Sequence, residues 1–76
     1  MNYFAAPHTF VSIPNQVTAF VIGYNGDRIR KLHSLTGAHI FVPKDYNTFT
    51  DERIIQLSGN SRSVQFCKGE IEKIVN

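Results

Sequence analysis

Gly23-Tyr24-Asn25-Gly26, set between the apolar flanks Val21-Ile22 and Ile29, is the stretch with the clearest chemical bias. Glycine suits positions where the backbone takes positive φ, or must approach another chain without a Cβ in the way. With a helix on each side, so tight a loop exposes main-chain N–H groups at the start of the second helix, where the macrodipole also favours negative charge. That arrangement attracts phosphate. Arg28, Arg30, Lys31 and Lys44 add cations around it. The other reactive residues are dispersed. His8, His33 and His39 have no accompanying ligand cluster, and the lone Cys67 falls on an apolar helical stripe. Neither a metal site nor a thiol nucleophile is expected from them. The few carboxylates form no acid–base pair, so the chain reads as a non-enzyme with no cofactor and no metal.

The elements that must position this loop follow from the hydrophobic period. Residues 1–9 read as an N-terminal arm containing Tyr3 and Phe4, and Phe10–Pro14 as a strand that proline ends. Asn15 is a plausible N-cap for a short helix carrying Val17, Phe20 and Val21 and ending at Gly23. Gly26 or Asp27 caps a second helix with Ile29, Leu32 and Leu35 on its apolar side, stopped by Gly37. Ala38–Val42 is a strand closed by Pro43, and Lys44–Glu52 a polar, flexible connection. Arg53–Leu57 forms the third strand. After the Ser58-Gly59-Asn60 turn, Ser61 or Ser63 caps a last helix with Val64, Cys67, Ile71, Ile74 and Val75 as its stripe. Strand alternation directs Val11, Ile13, Ile40, Val42, Ile55 and Leu57 toward the helices, and Phe10, His39, Phe41, Ile54 and Gln56 to the opposite face.

Composition narrows the function. Seventy-six residues are enough for one domain. Lys and Arg number 8 against 6 Asp and Glu, a formal charge of +2. A nucleic-acid binder relying on phosphate neutralisation alone would be more basic, so groove contacts and stacking must contribute. One cysteine allows no disulfide framework, which suits a reducing compartment. The N-terminus does not read as a signal peptide, and no apolar run reaches bilayer length. The expected setting is therefore intracellular, nucleus or cytoplasm, with no membrane partner.

The run Val21-Ile22-Gly23-x-x-Gly26-x-x-Ile29, then Thr36-Gly37-Ala38-x-Ile40, Arg53-Ile54-Ile55 and the Gly59 turn, resembles the K homology (KH) domain over roughly Phe10 to Val75. The element order matches its type I, eukaryotic form. The resemblance implies an α+β fold in the order β-α-α-β-β-α, with a three-stranded antiparallel sheet and three helices packed on one face. Residues 10–76 would be a single KH domain. It also implies a groove holding about four unpaired nucleotides, of RNA or less readily single-stranded DNA, and a part in post-transcriptional regulation.

In that groove Gly23, Tyr24, Asn25 and Gly26 would meet the sugar-phosphate backbone. Val21, Ile22, Ile29, Leu32, Ile40 and Val42 would form apolar walls, and the Ile40 main chain, on an edge strand, would read adenine or cytosine. Arg53 matches a position that reaches a base acceptor, and His33 a base-contacting position where the family pattern has arginine. Arg28 and Lys31, with Arg30 and Lys44, would attract phosphate. The loop departs from the family by carrying no Lys or Arg between its glycines. Tyr24 could compensate by stacking and Asn25 by hydrogen bonding, while Asp27 reads as an N-cap carboxylate. The competing expectation is a KH-fold interaction or dimerisation module with weak nucleic-acid binding. Its interface would be Phe10, Phe41 and Ile54, covered by a second copy, a neighbouring domain or the Tyr3-Phe4 segment.

Overall fold

A computed structural model describes residues 8–76. β1 (His8–Pro14) alternates as expected, burying Val11 and Ile13 while Ser12 and Pro14 stay exposed. It begins at His8, ahead of Phe10; Tyr3 and Phe4 of the expected arm lie outside the described residues. A 3-10 turn, Asn15–Val17, leads into α1 (Thr18–Ile22), and neither has a side-chain cap. Asn15 is diverted from capping because its Oδ1 accepts from Nε and Nη2 of Arg53, at 3.0 and 2.8 Å.

After the glycine loop comes α2 (Asp27–Thr36), which Gly37 ends in a left-handed conformation, φ 80°, with its N–H donating to the His33 carbonyl at 2.7 Å. The buried stripe of α2 runs through Leu32 and Thr36, which turns Leu35 aside. Leu35 is 58% exposed, contrary to its expected place on the apolar side. β2 (His39–Phe41) is shorter than the expected Ala38–Val42, and β3 (Glu52–Ser58) is longer than Arg53–Leu57. Between them, Asn47 bridges Glu52, and its Oδ1 accepts from the N–H groups of Phe49 and Thr50 at 2.8 and 3.2 Å. The expected flexible connection is thus a hydrogen-bonded turn at its tip. α3 (Ser61–Val75) is capped by Asn60, whose side chain accepts from the Ser63 N–H at 2.8 Å, in place of Ser61 or Ser63.

The sheet is antiparallel in the order β1-β3-β2, leaving β2 at an edge. Thr9, Leu57 and Ile40 lie abreast, as do Phe10, Gln56 and Phe41 one step along. Rows of the first kind face the helices. Val11, Ile13, Ile55 and Leu57 pack there with Val21 of α1, Leu32 of α2 and Val64, Cys67 and Ile71 of α3. Rows of the second kind face outward, with Phe10 59%, Phe41 57% and Ile54 43% exposed. At about 25 cal/mol per Å² of apolar area removed from water, the inward rows supply the main favourable term of folding.

Candidate nucleic-acid interface

The loop owes its shape to three residues in unusual backbone conformations. Gly23 has φ 79° and ψ 175°, a region that is essentially glycine's alone. A Cβ there would sit 2.7 Å from both the main-chain nitrogen and the Cβ of Arg28, so the first turn of α2 packs directly on this glycine. Asn25 (φ 53°) and Gly26 (φ 77°) are left-handed, and the Gly26 N–H closes the turn on the Gly23 carbonyl at 3.2 Å. Asparagine is one of the few residues with a side chain that tolerates this conformation.

Arg30 holds the loop from behind. Its Nη1 donates to the Asn25 carbonyl at 2.7 Å, and its Nη2 to Asp27 Oδ1 at 3.1 Å. Two expectations change as a result. Asp27 is no N-cap, since Gly26 occupies that position and no side-chain cap bond forms. Its carboxylate is paired with Arg30, which offsets a negative charge beside the loop. Arg30, in turn, spends two of its five N–H donors on the loop, while its side chain stays 65% exposed beside the cleft. Arg28 and Lys31, together with Gly23, Tyr24 and Asp27, line a 320 Å³ concavity. The cations that the loop lacks therefore come from the first turns of α2. Arg28 also lies over the Phe20 ring, 5.2 Å from its centroid, and Tyr24 is 85% exposed.

A second concavity, of 440 Å³, runs between α2 and the edge strand and is lined by Ile29, Arg30, His33, Ser34, His39 and Ile40. Of the expected walls, Ile29 and Ile40 line it. Val21 and Leu32 are buried in the core, Ile22 and Val42 are half-buried, and none of these four lines it. His33 is fixed by its Nδ1, 2.7 Å from the Ala38 carbonyl, and its ring lies 4.8 Å from that of His39. His39 was expected on the outer face by alternation. At the first residue of an edge strand the ring instead meets α2. Ser34 and His39 were missed as groove residues, and the only signal for them was their helical or strand proximity to His33 and Ile40.

Arg53 is tied inward. Besides Asn15, it donates through Nη1 to the Pro43 carbonyl at 3.1 Å, and its guanidinium lies 5.4 Å from the centroid of the Tyr46 ring. Three of its five N–H donors are thus engaged in joining β3 to the start of the helical layer and the end of β2. Lys44 is exposed.

These features, a glycine loop with left-handed residues, a cleft against an edge strand and the β-α-α-β-β-α order, coincide with a family match. The family model of the KH domain matches residues 8–73. The chain belongs to the KH family, in its type I form. KH domains are in general modules that bind single-stranded nucleic acid, and they act by binding and not by catalysis. This one shows the type I sheet and helical layer over the matched span. Among the described residues no group of three or more His, Cys, Asp or Glu could hold a metal ion, and no helix is long and apolar enough to cross a membrane. Cys67 is fully buried. Burial pushes its thiol pKa up, a hydrogen bond with Thr36 offsets part of the rise, and Glu70 adds to it.

Proposed function

We propose that this KH domain binds single-stranded RNA, holding about four unpaired nucleotides across the GYNG loop and the cleft between α2 and β2. The observation that carries the reading is the presence of two concavities along α2, which share no lining residue. One presents Arg28 and Lys31 beside the glycine loop, and the other presents Ile29 and Ile40 beside an edge strand. Phosphate contacts fix register, while a dry apolar wall and main-chain edge groups suit base faces and Watson–Crick edges. Ile40 stands on the strand whose outer side has no neighbour in the sheet. Tyr24 and Asn25 complete the backbone contact, with Ile22 and Val42 flanking the walls. The inward engagement of Arg53 favours a supporting part for it, with its two remaining N–H donors available to a base. Single-stranded DNA is the weaker ligand in this reading, and the setting is the nucleus or cytoplasm.

Affinity for so short a site is modest, so selectivity in a cell comes from several such modules acting together. The test is titration of short labelled RNA oligomers of randomised composition at low and moderate salt. The control is the double variant Tyr24→Asp, Asn25→Asp, which repels phosphate and leaves both glycines in place. Saturable binding by the parent, lost in a folded variant, is expected. No binding by the parent at low salt overturns the reading.

A second reading is favoured by the outer sheet face, where Phe10 and Phe41 flank Gln56 and Ile54 lies one row on, all partly or largely exposed. It makes the domain an interaction or dimerisation module. A monomer over a wide concentration range by sedimentation rules out self-association through this face.

A further inference from the structure

We infer that His33 reads a base by accepting a hydrogen bond, and that it therefore selects an N–H-bearing edge, in particular an exocyclic amine, at one position of the bound strand. The inference rests on the RNA-binding reading above and adds a residue that determines specificity within it.

The argument begins at the Thr36-Gly37-Ala38 turn. Thr36 Oγ1 donates to the Leu32 carbonyl at 2.7 Å and accepts from the Ala38 N–H at 3.2 Å, both buried. Gly37 donates to the His33 carbonyl at 2.7 Å. Ala38, with no exposed surface, is thus held at its nitrogen, and its carbonyl is presented to His33 Nδ1 at 2.7 Å. A carbonyl oxygen only accepts, so Nδ1 carries the proton. In the neutral ring the other nitrogen, Nε2, is then a lone-pair acceptor. The backbone of the turn has fixed the tautomer.

The ring so fixed lines the cleft between α2 and β2 with Ile29 and Ile40, and it packs against His39. Packing on one side and the Ala38 bond on the other restrict its rotation, which leaves Nε2 as the ring's remaining polar atom for a ligand. Arginine at this place could only donate. Histidine reverses the polarity of the contact. Cytosine, adenine and guanine each offer an amine on the Watson–Crick edge, whereas uracil offers one ring N–H flanked by two carbonyl oxygens that face an acceptor unfavourably.

The experiment is a double cycle at mildly alkaline pH on the intact chain. Each adenosine, cytidine and guanosine of a bound RNA oligomer is replaced in turn by the analogue lacking its exocyclic amine: purine riboside for adenosine, 2-pyrimidinone riboside for cytidine, inosine for guanosine. Binding is measured for the parent and for His33→Asn, whose side-chain amide keeps a donor near the Nδ1 position and removes Nε2. At one position, loss of the amine is expected to weaken the parent about fivefold, as one hydrogen bond does, and to leave the variant's affinity nearly unchanged. Equal losses in both proteins at every position overturn the inference while leaving the RNA-binding reading intact. Absence of all binding by the parent overturns both. Long-range proton–nitrogen spectra of the free protein check the premise independently of any variant: a proton on Nδ1 of His33 supports it, and one on Nε2 alone overturns it.

Discussion

The two glycines of the loop, interchangeable in a sequence pattern, are expected to respond very differently to alanine. At Gly23 the backbone, φ 79° and ψ 175°, occupies a region that costs a residue with a side chain about 1–3 kcal/mol. The added methyl would also stand 2.7 Å from the Arg28 main-chain nitrogen and Cβ, neither of which can move without shifting the first turn of α2. Such overpacking costs about 1–3 kcal/mol more, so Gly23→Ala should lose about 2–6 kcal/mol. At Gly26 the left-handed conformation costs alanine about 1–2 kcal/mol. There the new methyl meets only the Nη1 end of Arg30, at 3.3 Å, a flexible terminus that can give way. Urea unfolding followed by circular dichroism measures both losses. Since a small domain has about 5–15 kcal/mol in total, Gly23→Ala can abolish cooperative unfolding, whereas Gly26→Ala shifts its midpoint only modestly. A loss for Gly23→Ala equal to or smaller than that for Gly26→Ala refutes the packing argument.

Other outcomes follow from single contacts. Thr18 Oγ1 is buried with no hydrogen-bond partner among the described residues, so Thr18→Val should stabilise by about 1 kcal/mol in thermal denaturation. Asn60→Ala removes the cap of α3 and should cost about 1 kcal/mol, while Ser61→Ala, outside that bond, should cost little. Arg28→Ala should lower the salt dependence of RNA binding by about one counterion. Arg30→Ala, acting through loop shape, should weaken binding with that slope unchanged; equal slopes for the two variants would remove the distinction. The raised Cys67 pKa means that its contribution to stability is present below the ordinary thiol value of 9.0 and is lost as pH rises beyond it. Unfolding midpoints across that range should fall more steeply for the parent than for Cys67→Ala, which is less stable throughout.

Periodicity carried the fold a long way. Alternation in β1 and β3 predicts which of Phe10 to Ile13 and Ile54 to Leu57 turn inward, because both faces of those strands have fixed environments. Gly37 is legible as a helix stop because only a left-handed residue fits there. Leu35 was misplaced because helical spacing gives the apolar stripe but not its centre, which packing against α3 and the sheet decides. Asn60 was passed over for the serines beside it, since all three are good caps and only the entry angle of α3 selects among them. In the interface, the pattern of glycines and flanking aliphatics located the loop and cleft. The Arg30 hold on Asn25 and the His33 bond to Ala38 depend on where side chains meet across a turn, and no spacing rule announces them.

The sheet order has a consequence for how the chain assembles. β3, the strand between the other two, is the last of them in sequence, so β1 and β2 have no ladder to join until Ser58 has been made. During synthesis the glycine loop and its two helices therefore emerge without the floor they rest on. β1 must close a loop of residues 15–51, about half of the chain, to pair, a slow step for which short-range helical contacts give little reward. A nascent chain halted within the Asn47 turn would expose Val11, Ile13 and Val21 together, a hydrophobic strip suited to capture by a chaperone. Completion of a single strand then commits both edges at once.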